Sequence, residues 1–323
     1  MKKTIDFKRF ALQNLVLIGI IILCIVTAVK EPLFLSKDNF TNILRQFGTL
    51  SFVALGMTYV IVGGFIDLSV VGTISLVGVV TLSLIDPIGQ VGALLIGLLL
   101  GALLGLLNGL ILVRFGGRIQ AEVLFMTYGM SSIFGAAALL YTNSETEHMS
   151  RCVNPYQIFT FIGNGKIGPF AASTVLFLIC LLMIEWFYRK TIWGRQIALM
   201  GGNKTAATLC GYNMKRTMVL VYTICGLFAG IGSIVLLSRV TTASPVSGFG
   251  YETDAIMSVV VGGTALAGGS GSGFRTVLGV LLIILLSNCM NMLGLSTYLQ
   301  TIMKGLVLVI AIWLDNRKEQ QSH

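Results

Sequence analysis

The chain has 323 residues, of which 55% are apolar and 11% are charged, and its mean hydropathy is +0.88. Soluble domains carry about 25% charged residues, so a chain this depleted cannot cover a water-facing surface and must expose most of its exterior to lipid. The net charge of +9 does not indicate nucleic-acid binding, because the basic residues lie at the ends of apolar runs, where signals of membrane orientation are found. The composition therefore predicts a membrane protein that contacts the lipid bilayer and no nucleic acid.

Crossing a bilayer takes about 20 helical residues. Ten apolar runs approach this length: 11–29, 48–65, 69–85, 91–113, 119–141, 171–188, 217–238, 252–267, 276–294 and 299–314. They predict an all-α fold, a polytopic transmembrane helical bundle of about ten spans that extends over residues 11–314. Two glycine-broken runs are short, so eight or nine full spans with re-entrant segments stay open. The first run is longer than a signal-peptide core and has no small-residue cleavage site, which favours an uncleaved span.

The distribution of basic residues predicts the orientation of the bundle. With ten spans, fifteen of the 22 Lys and Arg fall in segments on the side of the N-terminus and six on the opposite side. Cytoplasmic loops carry the excess of Lys and Arg, so both termini (residues 1–10 and 315–323) are predicted to be cytoplasmic. Residues 142–170 then form a periplasmic loop, and residues 189–216 form a basic cytoplasmic loop.

A helix-breaking glycine pair at the end of the second run is followed by an acidic residue. Gly63 and Gly64 weaken the helix, and Asp67 can then cap the next span with help from Ser69. An acid at the centre of a membrane helix costs roughly 2.5–3.5 kcal/mol, which calls for such compensation. Two interpretations stay open, a broken helix that lines a transport pathway and a plain cytoplasmic turn.

A similar five-residue pattern occurs at residues 60–64 and 259–263, where Val-rich helices meet Gly-Gly. Broken helices at related positions in two halves often mark a transport pathway, but five residues are a weak match. The glycines of the second segment do not form a phosphate loop, because no Lys follows them. They indicate close helix packing and a tight turn, formed by Gly262, Gly263, Gly268, Gly269 and Gly271.

The basic cytoplasmic loop contains a predicted short helix. Asn203 is a good N-cap, two alanines favour helix, and Gly211 can take the left-handed stop. So short a helix is unstable alone in water and needs a partner surface. The alternative is a solvated basic loop that only sets the topology.

Few other residues suggest chemistry. Glu122 and Lys304 are predicted to be buried charges in different spans, which either pair as a gate or proton relay or act as static capping groups. The six cysteines form no CxxC pair and are expected to be core residues, without a disulfide or metal site. The sequence predicts no catalytic residues and no cofactor on this chain.

Several segments resemble the permease subunits of ribose-type bacterial ABC importers. The similar motifs, in family order, are Gly56-Met57-Thr58, Ile66 to Val70, Gly194-Arg195, Gly201 to Asn203, Gly211 to Asn213, Gly250 to Ile256, Val260 to Gly271 and Asn288 to Gly294. The chain departs from the family pattern at Lys204, where an acid is usual, at Phe65 and Val71, where glycines are usual, and at Glu122, where Phe is usual.

The resemblance implies a second permease copy, ATPase subunits that bind ATP and Mg on the cytoplasmic side, and a periplasmic sugar-binding protein. The short helix would be the coupling helix, with contacts to the ATPase from Asn203, Lys204, Ala206, Ala207, Leu209 and Gly211. We assign the pathway to Gly63, Gly64, Phe65, Asp67, Ser69, Asn288 and Asn291. An alternative is an ion-coupled secondary transporter that uses Asp67, Glu122 or Lys304.

Overall fold

The computed structural model describes residues 15–116 and 119–320. The predicted N-terminal segment, residues 1–10, lies outside the described residues. Thirteen α-helices occur in the described part: α1 (Leu15–Lys30), α2 (Lys37–Val62), α3 (Val70–Ser83), α4 (Ile85–Phe115), α5 (Gln120–Tyr141), α6 (Gln157–Asn164), α7 (Ala172–Lys190), α8 (Ile192–Gly202), α9 (Lys204–Leu209), α10 (Met214–Val240), α11 (Tyr251–Val261), α12 (Gly273–Met292) and α13 (Thr297–Gln320). Four two-residue strands join loops: β1 (Glu147–His148), β2 (Lys166–Ile167), β3 (Phe170–Ala171) and β4 (Thr242–Ala243).

Each of the ten predicted apolar runs coincides with one helix, and the all-α polytopic architecture is confirmed. In the described residues, seven helices are long and apolar enough to cross a membrane. The other three are shorter: α1 has 16 residues, α3 has 14 and α11 has 11. The count of ten spans and the location of the termini stay predictions.

Some boundaries differ from the prediction for local reasons. Helix α2 begins at Lys37, not 48, because the Ser36 hydroxyl accepts the Asn39 N–H (3.2 Å) and caps a polar first turn that hydropathy alone misses. Helix α13 runs past the predicted end at 314 into the predicted tail. Each predicted loop also holds an unpredicted helix, α6 in residues 142–170 and α8 in residues 189–216.

Segments predicted to share one side of the membrane contact each other. Strand β1 pairs with β4, and the Asp86 carboxylate accepts the backbone N–H groups of Val153 and Asn154, both at 2.9 Å. At the opposite end, the Gly269 N–H donates to the Val62 carbonyl (2.8 Å). These contacts join segments that the ten-run pattern places on the same side.

Helices α2 and α10 form the centre of the bundle. In their most apolar windows, 89% of α2 and 67% of α10 are buried, against 6% of α13. Helix α10 packs on α4 through small residues, since a Cβ on Gly101 would lie 2.8 Å from the Gly226 carbonyl oxygen and 2.9 Å from the Gly230 Cα. Such close approach of backbones is the usual way in which membrane helices gain packing energy.

A reciprocal amide pair ties α12 to the first turn of α2. The Asn39 side-chain amide donates to Asn288 Oδ1 (3.0 Å), and the Asn288 amide donates to Asn39 Oδ1 (2.8 Å). Both side chains are buried. Each amide thus satisfies the other where water cannot.

We expect Asn288→Leu to reduce stability by about 1–3 kcal/mol, because it leaves the buried Asn39 carbonyl oxygen without its donor. Thermal unfolding in detergent would measure this change. The double variant with Asn39→Leu should cost less than the two single changes together, and Asn164→Leu, at an exposed position, serves as control. Additive effects of the two single changes would contradict the pair.

Candidate functional site

Helix α2 ends at the predicted glycine pair in a Schellman motif. Gly64 takes a left-handed φ of +82° and donates its N–H to the Ile61 carbonyl (2.8 Å), while the Phe65 N–H donates to Val60 (3.1 Å). These are the two bonds that define the motif, and glycine is the residue that adopts its left-handed position without strain. Both bonds satisfy carbonyl groups that would otherwise be unpaired inside the bundle.

Helix α11 ends in the same way at the second glycine pair. Gly263 has a φ of +91° and donates to the Val260 carbonyl (2.8 Å), and the Thr264 N–H donates to Val259 (3.1 Å). The two five-residue segments, 60–64 and 259–263, therefore share one local structure with equivalent hydrogen bonds. The sequence similarity between them corresponds to a real structural equivalence at the helix ends.

The segment between α2 and α3 is buried, which excludes an exposed turn. Asp67 is only 1% exposed, and its Oδ1 accepts the backbone N–H of Ser69 (2.9 Å) and the Ser69 hydroxyl (2.6 Å). The Asn108 side chain of α4 donates to the Ser69 hydroxyl oxygen, and the Thr127 hydroxyl of α5 accepts the Leu68 N–H (3.2 Å). The carboxylate thus organises the start of α3 and its contact with α4.

The predicted short helix in the cytoplasmic loop is confirmed as α9. Asn203 Oδ1 accepts the Ala206 N–H (2.9 Å), and Gly211 takes the left-handed stop with a φ of +77°. Leu209 is 84% exposed, but Ala207 is fully buried. The Ala207 side chain therefore packs against this chain, and the contact of α9 with an ATPase stays a prediction.

Three glycine pairs from distant parts of the sequence meet beside α9. We call this cluster the glycine junction, formed by Gly63-Gly64 after α2, Gly201-Gly202 at the end of α8, and Gly268-Gly269 in the loop before α12. A Cβ on Gly268 would lie 2.8 Å from the Gly64 Cα and 2.9 Å from the Gly201 Cα. The three backbones are in direct contact, which no residue with a side chain allows.

Sequence reasoning assigned Gly63-Gly64 and Gly268-Gly269 to separate roles, a pathway and a packing turn. The structure brings them together through Gly201-Gly202, and only Asn203 separates this third pair from α9. The other two glycines of the second segment are also closely packed. A Cβ on Gly271 would lie 2.5 Å from the Val62 side chain, and one on Gly262 would lie 2.5 Å from the Arg275 carbonyl oxygen.

Sequence reasoning missed Glu185, an acid that is 3% exposed in α7. Its Oε2 accepts the Tyr59 hydroxyl (3.2 Å) and the Gly273 N–H (3.0 Å), and its Oε1 accepts from Ser272 (3.2 Å) and Arg189 (2.6 Å). The carboxylate thus joins α2, α7 and the N-terminus of α12, where negative charge is favourable. The available signal was an acid within an apolar run with a basic partner four residues later.

The two residues predicted to be buried charges, Lys304 and Glu122, differ in their surroundings. Lys304 forms a salt bridge with Asp254 of α11 (Nζ–Oδ2 2.7 Å), and both side chains are largely buried. Glu122 is exposed in the first turn of α5. The prediction of a buried Glu122 is therefore wrong, because its run begins with polar residues at a helix N-terminus.

Two further predicted residues lie at the opposite end of the bundle from the glycine junction. Asn288 is paired with Asn39, and Asn291 Oδ1 accepts a hydrogen bond from Gln300 (2.8 Å). Phe65, in contrast, lies beside α9, with the Lys204 ammonium 4.4 Å from its ring centroid. Two positions at which the chain departs from the family pattern are thus in direct contact.

Residues 39–312 match the family model described as the permease component of branched-chain amino acid transport systems. The chain belongs to this permease family. It is similar to the ribose import permease protein RbsC of Escherichia coli K12, with 34% identity over 97% of this chain and 96% of the relative. The Bacillus subtilis 168 ribose import permease is 34% identical, over 93% and 92% of the two chains.

The D-allose transport system permease protein AlsC of E. coli K12 is 31% identical to the permease over 91% of this chain and 88% of the relative. None of the solved structures compared with it is a significant match. The resemblance to ribose-type importer permeases is confirmed, and the permease is a multi-pass protein of the inner membrane.

The glycine junction can be tested with Gly201→Ala. Replacing glycine by alanine in a helix ordinarily stabilises it by roughly 0.5–1 kcal/mol, but at residue 201 the new Cβ would lie 2.5 Å from the Gly269 nitrogen. We expect a net destabilisation of about 1–3 kcal/mol, measured by thermal unfolding. Gly305→Ala is the matched control, because nothing lies within 4 Å of its Cβ. Equal shifts in the two variants would contradict the close approach.

Asp67 should tolerate Asn but not Leu. Asn keeps an oxygen that accepts the Ser69 N–H, whereas Leu leaves this buried donor unpaired at a cost of about 1–3 kcal/mol. Uptake assays and gel filtration of the solubilised protein would measure activity and folding. Asp38→Leu, at an exposed acid in α2, is the control. If Asp67→Leu behaves like Asp67→Asn, the carboxylate does not organise this segment.

Proposed function

We propose that the permease imports a sugar or sugar-like molecule, delivered by a periplasmic binding protein, as one of two copies that are driven by separate ATPase subunits. The description of the family model names amino acid transport. The relatives named above are instead permeases for ribose and D-allose, and their similarity extends over nearly the full length of the chain. The relatives therefore favour a sugar. ATP and Mg would bind to the partner subunits, and both termini would lie in the cytoplasm.

The observation that carries this proposal is the continuity between α9 and the two broken helices. Helix α9 has an exposed apolar tip at Leu209, and only Asn203 separates its start from Gly201-Gly202 of the glycine junction. Backbone contacts at the junction lead to the end of α2, and the loop through Gly268-Gly269 leads to α12. A displacement of α9 by an ATPase would thus reach both segments without an intervening side chain.

The rest of the bundle suits a motion of this kind. Glu185 holds α2, α7 and α12 together with four hydrogen bonds, next to a junction that has no side chains to interlock. A well-bonded frame beside a smooth backbone contact favours movement of the junction as a hinge or a slide rather than unfolding of the frame. Alternating access would then follow closure of the ATPase dimer.

An ion-coupled mechanism receives less support. Asp67 and Lys304, two of the three residues proposed for it, have close partners in Ser69 and Asp254, and Glu122 is exposed. The energy source can be measured in vesicles that contain the permease with its co-purified ATPase and binding protein. We expect uptake of labelled ribose or a related sugar to be blocked by vanadate and to survive collapse of the proton gradient. The reverse result would support a secondary transporter.

Leu209→Glu should uncouple the ATPase from the permease. A charge at a position that is 84% exposed should not disturb folding, but it would disrupt an apolar contact in which an anchor residue is worth about 2 kcal/mol or more. We expect sugar uptake to fall at least about tenfold, with less ATPase co-purified. Val153→Glu, at a 91% exposed position of the opposite loop, is the control. Normal uptake by Leu209→Glu would remove α9 as the docking element.

A further inference from the structure

A cavity of about 430 Å³ opens between α9 and the main bundle. Three elements contribute basic residues to its lining: Arg114 comes from the last turn of α4, Lys204 from α9, and Lys215 from the first turn of α10. No acidic side chain of the described residues lines this cavity. The three cations therefore create a positive potential that the cavity itself does not neutralise.

The remaining lining is apolar except for one hydroxyl. Phe65, Leu112 and Met218 supply apolar surface, and the Thr208 hydroxyl donates to the Lys204 carbonyl of its own helix (2.9 Å). Partial burial beside the Phe65 ring lowers the pKa of the Lys204 ammonium. Desolvation of a cation in this way is offset when an anion binds next to it.

We propose that this cavity is a binding site for the phosphate group of an anionic ligand, held by Arg114, Lys204 and Lys215. Phosphate fits because it offers several acceptor oxygens to cationic donors that three separate helices contribute, and arginine and lysine are its usual protein partners. An anion fits better than a neutral sugar, since the three cationic side chains are donors only.

A phosphate group could reach this cavity from two sources. A phospholipid headgroup could enter from the membrane, with its glycerol and first methylene groups against Leu112 and Met218, as basic pockets between membrane helices bind anionic lipids. A soluble phosphorylated compound could enter from the aqueous side. In either case the occupant links α9 to α4 and α10, so it would stabilise one position of the helix next to the glycine junction.

The experiment uses the purified full-length permease in phosphatidylcholine nanodiscs. One arm adds phosphatidylglycerol and counts retained lipid by native mass spectrometry, and the other measures binding of radiolabelled inorganic phosphate by equilibrium dialysis. We expect one ligand to bind to the wild type. Lys215→Gln and Arg114→Gln should each weaken that binding about fivefold, because a basic group near an anionic headgroup contributes about 1 kcal/mol.

Arg216→Gln is the matched control, because Arg216 is an exposed cation next to Lys215 in the same helical turn and does not line the cavity. The Arg216→Gln variant should bind the phosphate ligand as tightly as the wild type does. Saturable retention of phosphatidylglycerol identifies a lipid phosphate as the ligand, and saturable binding of inorganic phosphate identifies a soluble one. The proposal is overturned if neither binds, or if Lys215→Gln and Arg216→Gln weaken binding equally. Matching thermal unfolding midpoints would show that the variants are folded.

Discussion

Contact between bare backbones at the glycine junction is the constraint on which this end of the helical bundle depends. Three chain segments, of which the first is more than a hundred residues from the other two, approach so closely that a Cβ on Gly268 would lie within 3 Å of two other Cα atoms. Only residues without side chains allow this distance. The positions of the end of α2, the start of α9 and the loop before α12 are therefore fixed relative to one another by geometry rather than by specific side-chain bonds.

Backbone groups at the helix ends next to the junction are paired. The Schellman motifs at Gly64 and Gly263 satisfy the last carbonyls of α2 and α11, and Glu185 satisfies the first N–H of α12. In a membrane protein each unpaired backbone group is costly, so breaks in helices persist only where such partners exist. The breaks are thus stable features of the bundle, available for movement without exposing backbone to lipid.

Local features could be predicted from the sequence because they depend on neighbouring residues. The Asn203 cap, the Gly211 stop and the helix ends at both glycine pairs follow from the preferences of residues within one turn. Partners across the fold could not be predicted in this way. Nothing near Gly201 indicates that it touches Gly64 and Gly268, and nothing near Lys304 indicates that Asp254, fifty residues earlier, neutralises it.

The contact between Phe65 and Lys204 shows how two departures from a family pattern become intelligible only in three dimensions. This chain has a lysine where an acid is usual, and its ammonium lies over an aromatic ring that stands where glycine is usual. Cation–π attraction of about 0.5–1 kcal/mol at a partly exposed site favours this arrangement and directs the lysine toward α2. The start of α9 is thereby held to the broken segment by a side chain as well as by the glycine junction. A cationic helix start also reverses the local charge that an acid would provide, which makes this end of α9 suited to an anion rather than to a basic partner surface.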